Sequence, residues 1–302
     1  MKRWILPVVC VLIAAAIAWP FIFGGGTVEV KGRTFVVEHR LGEDGTNSRY
    51  TALHNRAALD KEHAILCSWD RDRYLYSWSD GSRFGFDVAY LDEAGKVLQI
   101  GRVRPGRVEL DEEGVASTVE ARRALYLPEG TIESLSLAAG DSVSLSGDLA
   151  SAKPEPMTTI KVGDKTVRVE LSSSYMQRSR GLMHRQKMSK DEGMLFLYQK
   201  EKTSPNLSFY MRNTYMSLDI SYFNNAGHLV NVVSAERADD PALRGAGITA
   251  PANGPAQYVL EVPIGWFREN GLTDDKGKPV KPVSVELPDY VKKRTEKADP
   301  SQ

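Results

Sequence analysis

The run RGLMHRQKMSKDEGMLF occupies residues 180–196, and a weaker copy of it, TALHNRAALDKEHAILC, occupies residues 51–67. Both runs pass from a polar segment into an apolar stretch that has the length of a β-strand. Identical residues recur at a spacing of 129 positions, as Leu53/Leu182, Arg56/Arg185, Lys61/Lys190 and Leu66/Leu195. Two similar runs this far apart indicate that a folding unit has been duplicated within the chain.

The similarity continues on both sides of these runs, in the same order along the chain. The recurring residues at a spacing of 132 are Thr34, Val37, Glu38, Asp87, Tyr90, Ala94 and Gly95, and those at a spacing of 135 are Ala121, Leu125, Pro128 and Gly130. We therefore predict a first repeat domain at 27–148, a linker at 149–159 and a second repeat domain at 160–288.

Within each copy the pattern is mainly that of strands, with one or two short helices. Apolar runs at 86–91 and 97–100, and again at 220–223 and 229–233, flank short turn segments that contain glycine, which is typical of hairpins. Short helices are predicted at 173–184 and at 266–270. The fold class is therefore mainly β, a β-rich α+β architecture that is repeated twice.

The two ends of the chain have different character. Lys2 and Arg3 precede an uncharged run at 4–23, which has about the length that a transmembrane helix needs, so residues 1–26 are predicted to be a signal anchor. Because the basic end stays in the cytoplasm, the domains are expected outside it, anchored to the cytoplasmic membrane, or secreted or periplasmic if the segment is cleaved. The charged segment 289–302 is predicted to be a flexible tail.

Composition excludes several classes of function. The 302 residues carry 39 basic and 39 acidic side chains, and a net charge of zero disfavours binding to nucleic acid. Two cysteines, Cys10 and Cys67, are too few for a disulfide framework or a four-ligand zinc site. Methionines in the second copy suggest packing, with a copper site as the alternative. We predict no metal and no cofactor.

Six short motifs follow one another in the second copy. They are GLM-x-R at 181–185, GMLF at 193–196, M-x-N-T at 211–214, LDI at 218–220, Gly227, and VLE-x-x-x-G at 259–265. This ordered set resembles the family known as domain of unknown function 192, whose members are small and often exported. The resemblance implies a compact, β-rich, barrel-like fold for each copy and no assigned activity.

The first copy departs from these motifs at polar positions. Arg180 corresponds to Thr51, the 211–214 motif to residues 79–82, and Glu261 to Tyr126. We therefore expect a working site in the second copy, with the first as scaffold, spacer or interaction surface. The candidate ligand-binding residues are Arg180, Arg185, Asn213, Thr214, Asp219 and Glu261. Arginine is included because its planar fork suits carboxylate, phosphate or vicinal hydroxyl groups.

Three interpretations of this chemistry stay open. The favoured one is a membrane-anchored envelope protein that binds a small molecule, a glycan or another envelope protein. The second is an acid–base hydrolase that uses Asp219 and Glu261, assisted by His184. The third is a purely structural envelope scaffold, in which Arg185 forms an internal ion pair with Asp219 or Glu261; the presence of Arg56 and Asp87 in the first copy favours such a pair.

Overall fold

The computed structural model describes residues 26–42, 49, 52–53, 56–79, 82, 84–105, 114–199, 207–237 and 249–296. The chain divides into two compact units, with the border between Pro156 and Met157. Apart from Gly26, the predicted anchor at 1–26 lies outside the described residues. Among the residues that are described, no helix is long and apolar enough to cross a membrane.

The first unit contains one seven-stranded sheet that curls into a half-barrel. Its strands are β1 (Gly26–Val30), β2 (Arg33–Arg40), β3 (His63–Ser77), β4 (Phe86–Leu91), β5 (Val97–Val103), β6 (Val115–Pro128) and β7 (Val143–Leu145). They lie in the order β5-β4-β6-β3-β2-β1-β7. Strands β2 and β3 are parallel and the other neighbours are antiparallel. Two short helices follow β6, namely α1 (Thr131–Ser134) and α2 (Gly147–Ser151).

The second unit repeats this sheet strand for strand. Its strands are β8 (Thr158–Val162), β9 (Lys165–Ser172), β10 (Glu192–Leu197), β12 (Leu218–Phe223), β13 (Leu229–Ala235), β15 (Tyr258–Pro263) and β16 (Val285–Glu286). The order is β13-β12-β15-β10-β9-β8-β16, with β9 and β10 as the parallel pair. A separate ladder joins β11 (Ser208–Tyr210) to β14 (Thr249–Pro251). The helices are α3 (Tyr175–Arg180), α4 (Trp266–Glu269) and α5 (Asp289–Glu296).

Both faces of the second sheet are packed, because successive residues of a strand point to opposite sides. Leu195 of β10 and Leu260 of β15 belong to one apolar cluster, which also contains Phe267 of α4. Met194 and Val259, one position away on the same strands, belong to the other cluster. The central strands therefore appear in the sequence as continuous apolar runs rather than as alternating ones.

The mainly β prediction and both predicted hairpins are confirmed, since β4 pairs with β5 and β12 with β13. The helix predicted at 173–184 is shorter, because Gly181 takes a left-handed φ of 51° directly after α3. The tail prediction is wrong for residues 289–296. They form α5, and the fully buried Val291 packs its apolar side chain into the core.

Candidate functional site

A row of side chains crosses one face of the second sheet. Glu170 of β9 is in register with Met194 of β10, Met194 is opposite Glu261 of β15, and Glu261 is opposite Ile220 of β12. Residues paired in this way point to the same side of a sheet. The Glu170 and Glu261 carboxyls therefore lie on one face of the sheet, with one strand between them.

A cavity of about 310 Å³ opens onto this face. Its walls come from α3 and the turn that follows it, from the end of β10 and from β11. The polar residues that matter most to its chemistry are Arg178, Arg180, Tyr198, Tyr210, Thr214 and Glu261. Ligand pockets in proteins typically start at about 300 Å³. The cavity therefore has room for a small molecule and not for a large one.

Glu261 is the one carboxyl among the described residues that line the cavity, and it is 5% exposed. Burial raises the pKa of this carboxyl to about 8, and the nearby Arg185 charge only partly offsets the effect. The group is therefore mostly protonated at neutral pH, and a protonated carboxyl both donates and accepts hydrogen bonds. Burial also raises the pKa of the Tyr198 phenol to about 12, although the nearby Arg178 charge partly offsets the effect.

Arg185 lies beneath this site as part of an internal ion pair. Its two terminal nitrogens reach the two carboxylate oxygens of Glu170 at 2.6 Å each, and both side chains are largely buried. In the first unit Arg56 pairs with Glu38 at the corresponding positions. An internal ion pair explains why this arginine occurs in both copies. The acidic partner is Glu170, so the predicted pairing of Arg185 with Asp219 or Glu261 is wrong.

Asp219 belongs to the packing of the second unit rather than to the cavity. One carboxylate oxygen accepts a hydrogen bond of 2.6 Å from the Ser234 hydroxyl, and the other accepts one of 3.2 Å from the Phe267 amide in the first turn of α4. Asp87 does the same in the first unit, where it accepts a 2.8 Å hydrogen bond from the Ile132 amide of α1. The aspartate thus holds a short helix against the sheet in both copies.

The predicted acid–base pair of Asp219 and Glu261 is wrong. Glu261 is opposite Ile220, and Asp219 precedes Ile220 on β12, so the two carboxyls point to opposite faces of the sheet. His184, the predicted assistant, lies in the turn after α3. Its amide donates a 2.6 Å hydrogen bond to the Asn213 carbonyl, and its ring packs against a neighbouring tyrosine.

Of the other predicted residues, Arg180 and Thr214 line the cavity and Asn213 is not among its lining residues. Arg180 is the last residue of α3. Asn213 has a left-handed φ of 54°, a conformation that asparagine tolerates better than most residues. Its role in this arrangement is conformational, because the turn that it forms leads directly into Thr214.

Several cavity residues were missed from the sequence, among them Arg178, Tyr198, Tyr175 and Tyr210. The Arg178 guanidinium donates to the Leu197 carbonyl at 3.2 Å and lies 5.1 Å from the centre of the Tyr198 ring. Tyr198 follows the GMLF motif at a spacing of two, a signal that places it on the same face as that motif's phenylalanine. No comparable signal marks the two tyrosines on α3 and β11.

Comparison with known families decides the identity of the fold. The family DUF192, described as an uncharacterized ACR, matches the chain twice, at residues 27–145 and 158–278. The chain belongs to the DUF192 family. The resemblance inferred from the six motifs is therefore confirmed, and the match to both halves shows two tandem DUF192 copies.

Solved structures similar to this DUF192 chain include two bacterial proteins. One is a protein of unknown function from Novosphingobium aromaticivorans. The match has 27% sequence identity and a TM-score of 0.35, and it covers 43% of this chain and 84% of the other protein's chain. The other is described as a candidate transcription regulator from Sinorhizobium meliloti. The match has 24% sequence identity and a TM-score of 0.35, and it covers 44% of this chain and 97% of the other protein's chain. A search of the curated proteins finds no match.

The two DUF192 copies differ at this cavity. The equivalent cavity of the first copy has a volume of only about 30 Å³ and is lined by Ala52 and Tyr126, which stand where the second copy has Gly181 and Glu261. The Tyr126 hydroxyl accepts a hydrogen bond of 3.3 Å from Ser77, a residue in the long extension of β3. In the described part of the first copy, a buried tyrosine thus stands where the second copy has its carboxyl.

Proposed function

We propose that the second DUF192 domain binds a small molecule in the 310 Å³ cavity above Glu261, and that the first domain is a scaffold whose own cavity has closed. The contrast between the two copies supports this proposal. Both keep the same sheet order, the same ion pair and the same helix-holding aspartate, so the fold does not depend on an open cavity. Among the described residues, the second copy has an open cavity at this place and the first has only a small one, which is what a binding function in the second copy would produce.

We propose further that the protein acts outside the cytoplasm, anchored by its N-terminal segment. The support is the sequence pattern of Lys2 and Arg3 followed by an uncharged apolar run. Alkaline phosphatase fused after residue 296 tests the orientation, because that enzyme is active only outside the cytoplasm. Active fusions in the membrane fraction are expected, and inactive fusions would contradict the topology. Active fusions in the soluble fraction would show cleavage instead of anchoring.

Ligand binding is tested with the full chain, purified in detergent, by saturation-transfer NMR against a mixture of small sugars, carboxylates, amines and nucleosides. Ser208→Trp fills the mouth of the cavity, where Ser208 is an exposed lining residue. Ser144→Trp is the matched control, an exposed strand serine in the first unit. Compounds should bind the wild type and Ser144→Trp but lose binding in Ser208→Trp. Absence of any saturable binding, or equal binding by both variants, would refute the proposal.

A further inference from the structure

The charges around the cavity favour an anionic ligand. Its described lining residues carry two guanidinium groups, those of Arg178 and Arg180, and one carboxyl, that of Glu261. Burial keeps this carboxyl mostly neutral at pH 7 because its pKa is about 8. The Arg178 group donates to backbone carbonyls and lies against the Tyr198 ring, and Arg180 lines the cavity from the end of α3. The described part of the lining is therefore positive at neutral pH, and a guanidinium binds a carboxylate with paired, charge-assisted hydrogen bonds.

The rim of the cavity favours a ring. Tyr175 is 57% exposed and Tyr210 is 41% exposed, and both line the cavity. The Tyr210 hydroxyl donates a long hydrogen bond of 3.5 Å to the Ser179 carbonyl, which ties β11 to α3. Exposed tyrosines have an apolar face and a polar tip, so they bind ligands that are apolar on one side and hydroxylated at the edge. A sugar ring has that character.

The floor of the cavity favours hydroxyl groups. A neutral Glu261 donates through its O–H and accepts through its carbonyl oxygen, which suits a hydroxyl that needs both a donor and an acceptor. Thr214, which is also nearly buried, adds a second hydroxyl at the wall. Among the described lining residues, an ammonium ligand would meet a carboxyl that is mostly neutral at pH 7.

On the premise that the cavity binds a ligand, we infer that the ligand is an acidic sugar. The ring lies against Tyr210 and Tyr175, the sugar carboxylate binds Arg180, and ring hydroxyls bind Glu261. A free sugar acid and the terminal unit of an acidic glycan present the same chemistry to this cavity. The cavity volume fits one or two sugar rings, so a terminal unit is as acceptable as a free one.

Matched sugars test this inference because they share a ring and differ in charge. Binding of D-glucuronate, D-glucose and D-glucosamine to the full chain is measured by titration calorimetry, and the corresponding galactose series is run in parallel. We expect a uronate to bind about tenfold or more tightly than its neutral parent, which corresponds to one charge-assisted pair. The amino sugar should bind no better than the neutral one.

Variants assign the preference to the residues named. Arg180→Gln should abolish the preference for the uronate, so that the uronate and its neutral parent bind this variant equally. Arg268→Gln, an exposed arginine on α4, is the control and should keep the preference. Tyr210→Ala should weaken uronate and neutral sugar alike.

The outcomes separate this inference from the proposed function. Equal binding of charged and neutral sugars, preference for the amino sugar, or a preference that survives Arg180→Gln would each overturn the inference. The inference also fails if none of these sugars binds but other compounds bind the wild type and lose binding in Ser208→Trp. In that case the binding function stands with a different ligand. If nothing binds at all, both proposals are wrong.

Discussion

Replacing Glu261 by glutamine should stabilise the second domain increasingly as the pH rises. In the unfolded chain this carboxyl ionises near its ordinary pKa of 4.5, whereas in the fold its pKa is about 8. Between these values the unfolded chain releases a proton that the fold retains, so the stability contributed by Glu261 is complete below pH 4.5 and falls as the pH rises. At 1.36 kcal/mol per pH unit, the accumulated loss is about 3 kcal/mol at pH 7, and it levels off above pH 8.

Hydrogen exchange of the β10 and β15 amides measures this effect in the second unit alone, after correction for the intrinsic pH dependence of exchange. The opening free energies of Glu261→Gln and wild type should be similar at pH 4.5 and should diverge by about 3 kcal/mol at pH 7. Glu286→Gln, at an exposed position of the same sheet, should show no such divergence. A constant offset between pH 5 and 8 would refute the reasoning. So would a wild type that gains stability over the variant as the pH rises, since Glu261 would then be ionised and paired.

Three other substitutions or modifications follow from the contacts. Asp219→Asn should destabilise the second domain by about 1–3 kcal/mol. The amide oxygen of asparagine can accept one of the hydrogen bonds from Ser234 and Phe267, but its NH2 group cannot accept the other. Urea unfolding measures the loss of stability, and ligand binding is expected to persist. Arg185→Met should destabilise by about 3–5 kcal/mol because it leaves the Glu170 carboxylate buried without its bidentate partner, and adding Glu170→Gln should restore much of the loss. Cys67 should resist maleimide in the native protein, because burial raises the pKa of its thiol to about 12. It should react once urea unfolds the first domain, and peptide mapping by mass spectrometry follows this residue specifically.

The sequence led to much of the fold because the relevant signals are local. Apolar runs and turn residues located the hairpins of β4 with β5 and β12 with β13, and the recurrence of identical residues identified the duplication. The C-terminal end of α3 was harder to predict from the sequence, since it depends on the positive φ at Gly181. The helix at 289–296 was missed because its apolar content is low, and it is Val291, buried against the core, that ties it down.

The candidate site could be predicted only partly from the sequence. Arg180, Thr214 and Glu261, which were selected because they differ between the copies or lie in motifs of the second one, line one cavity. Asp219 was wrongly grouped with them. A residue that belongs to a family motif can contact a ligand or can hold the fold together, and the motif alone does not distinguish the two roles. The partner of Arg185 was also beyond the sequence, because Glu170 lies on a strand that only the parallel pairing brings alongside β10.

The sequence by itself determined that this chain is a tandem duplication of a β-rich DUF192 domain with the better-preserved motifs in the second copy. Those features reside in residue identity, order and spacing, which are present before the chain folds. Only the tertiary structure decided which polar residues share a surface. The pleat separates Asp219 from Glu261 although their strands are neighbours, and the pairing of β9, β10 and β15 brings Glu170 and Glu261 to one face. The protonation state of Glu261 follows from the same arrangement, because burial is a property of the packed fold and not of the residue.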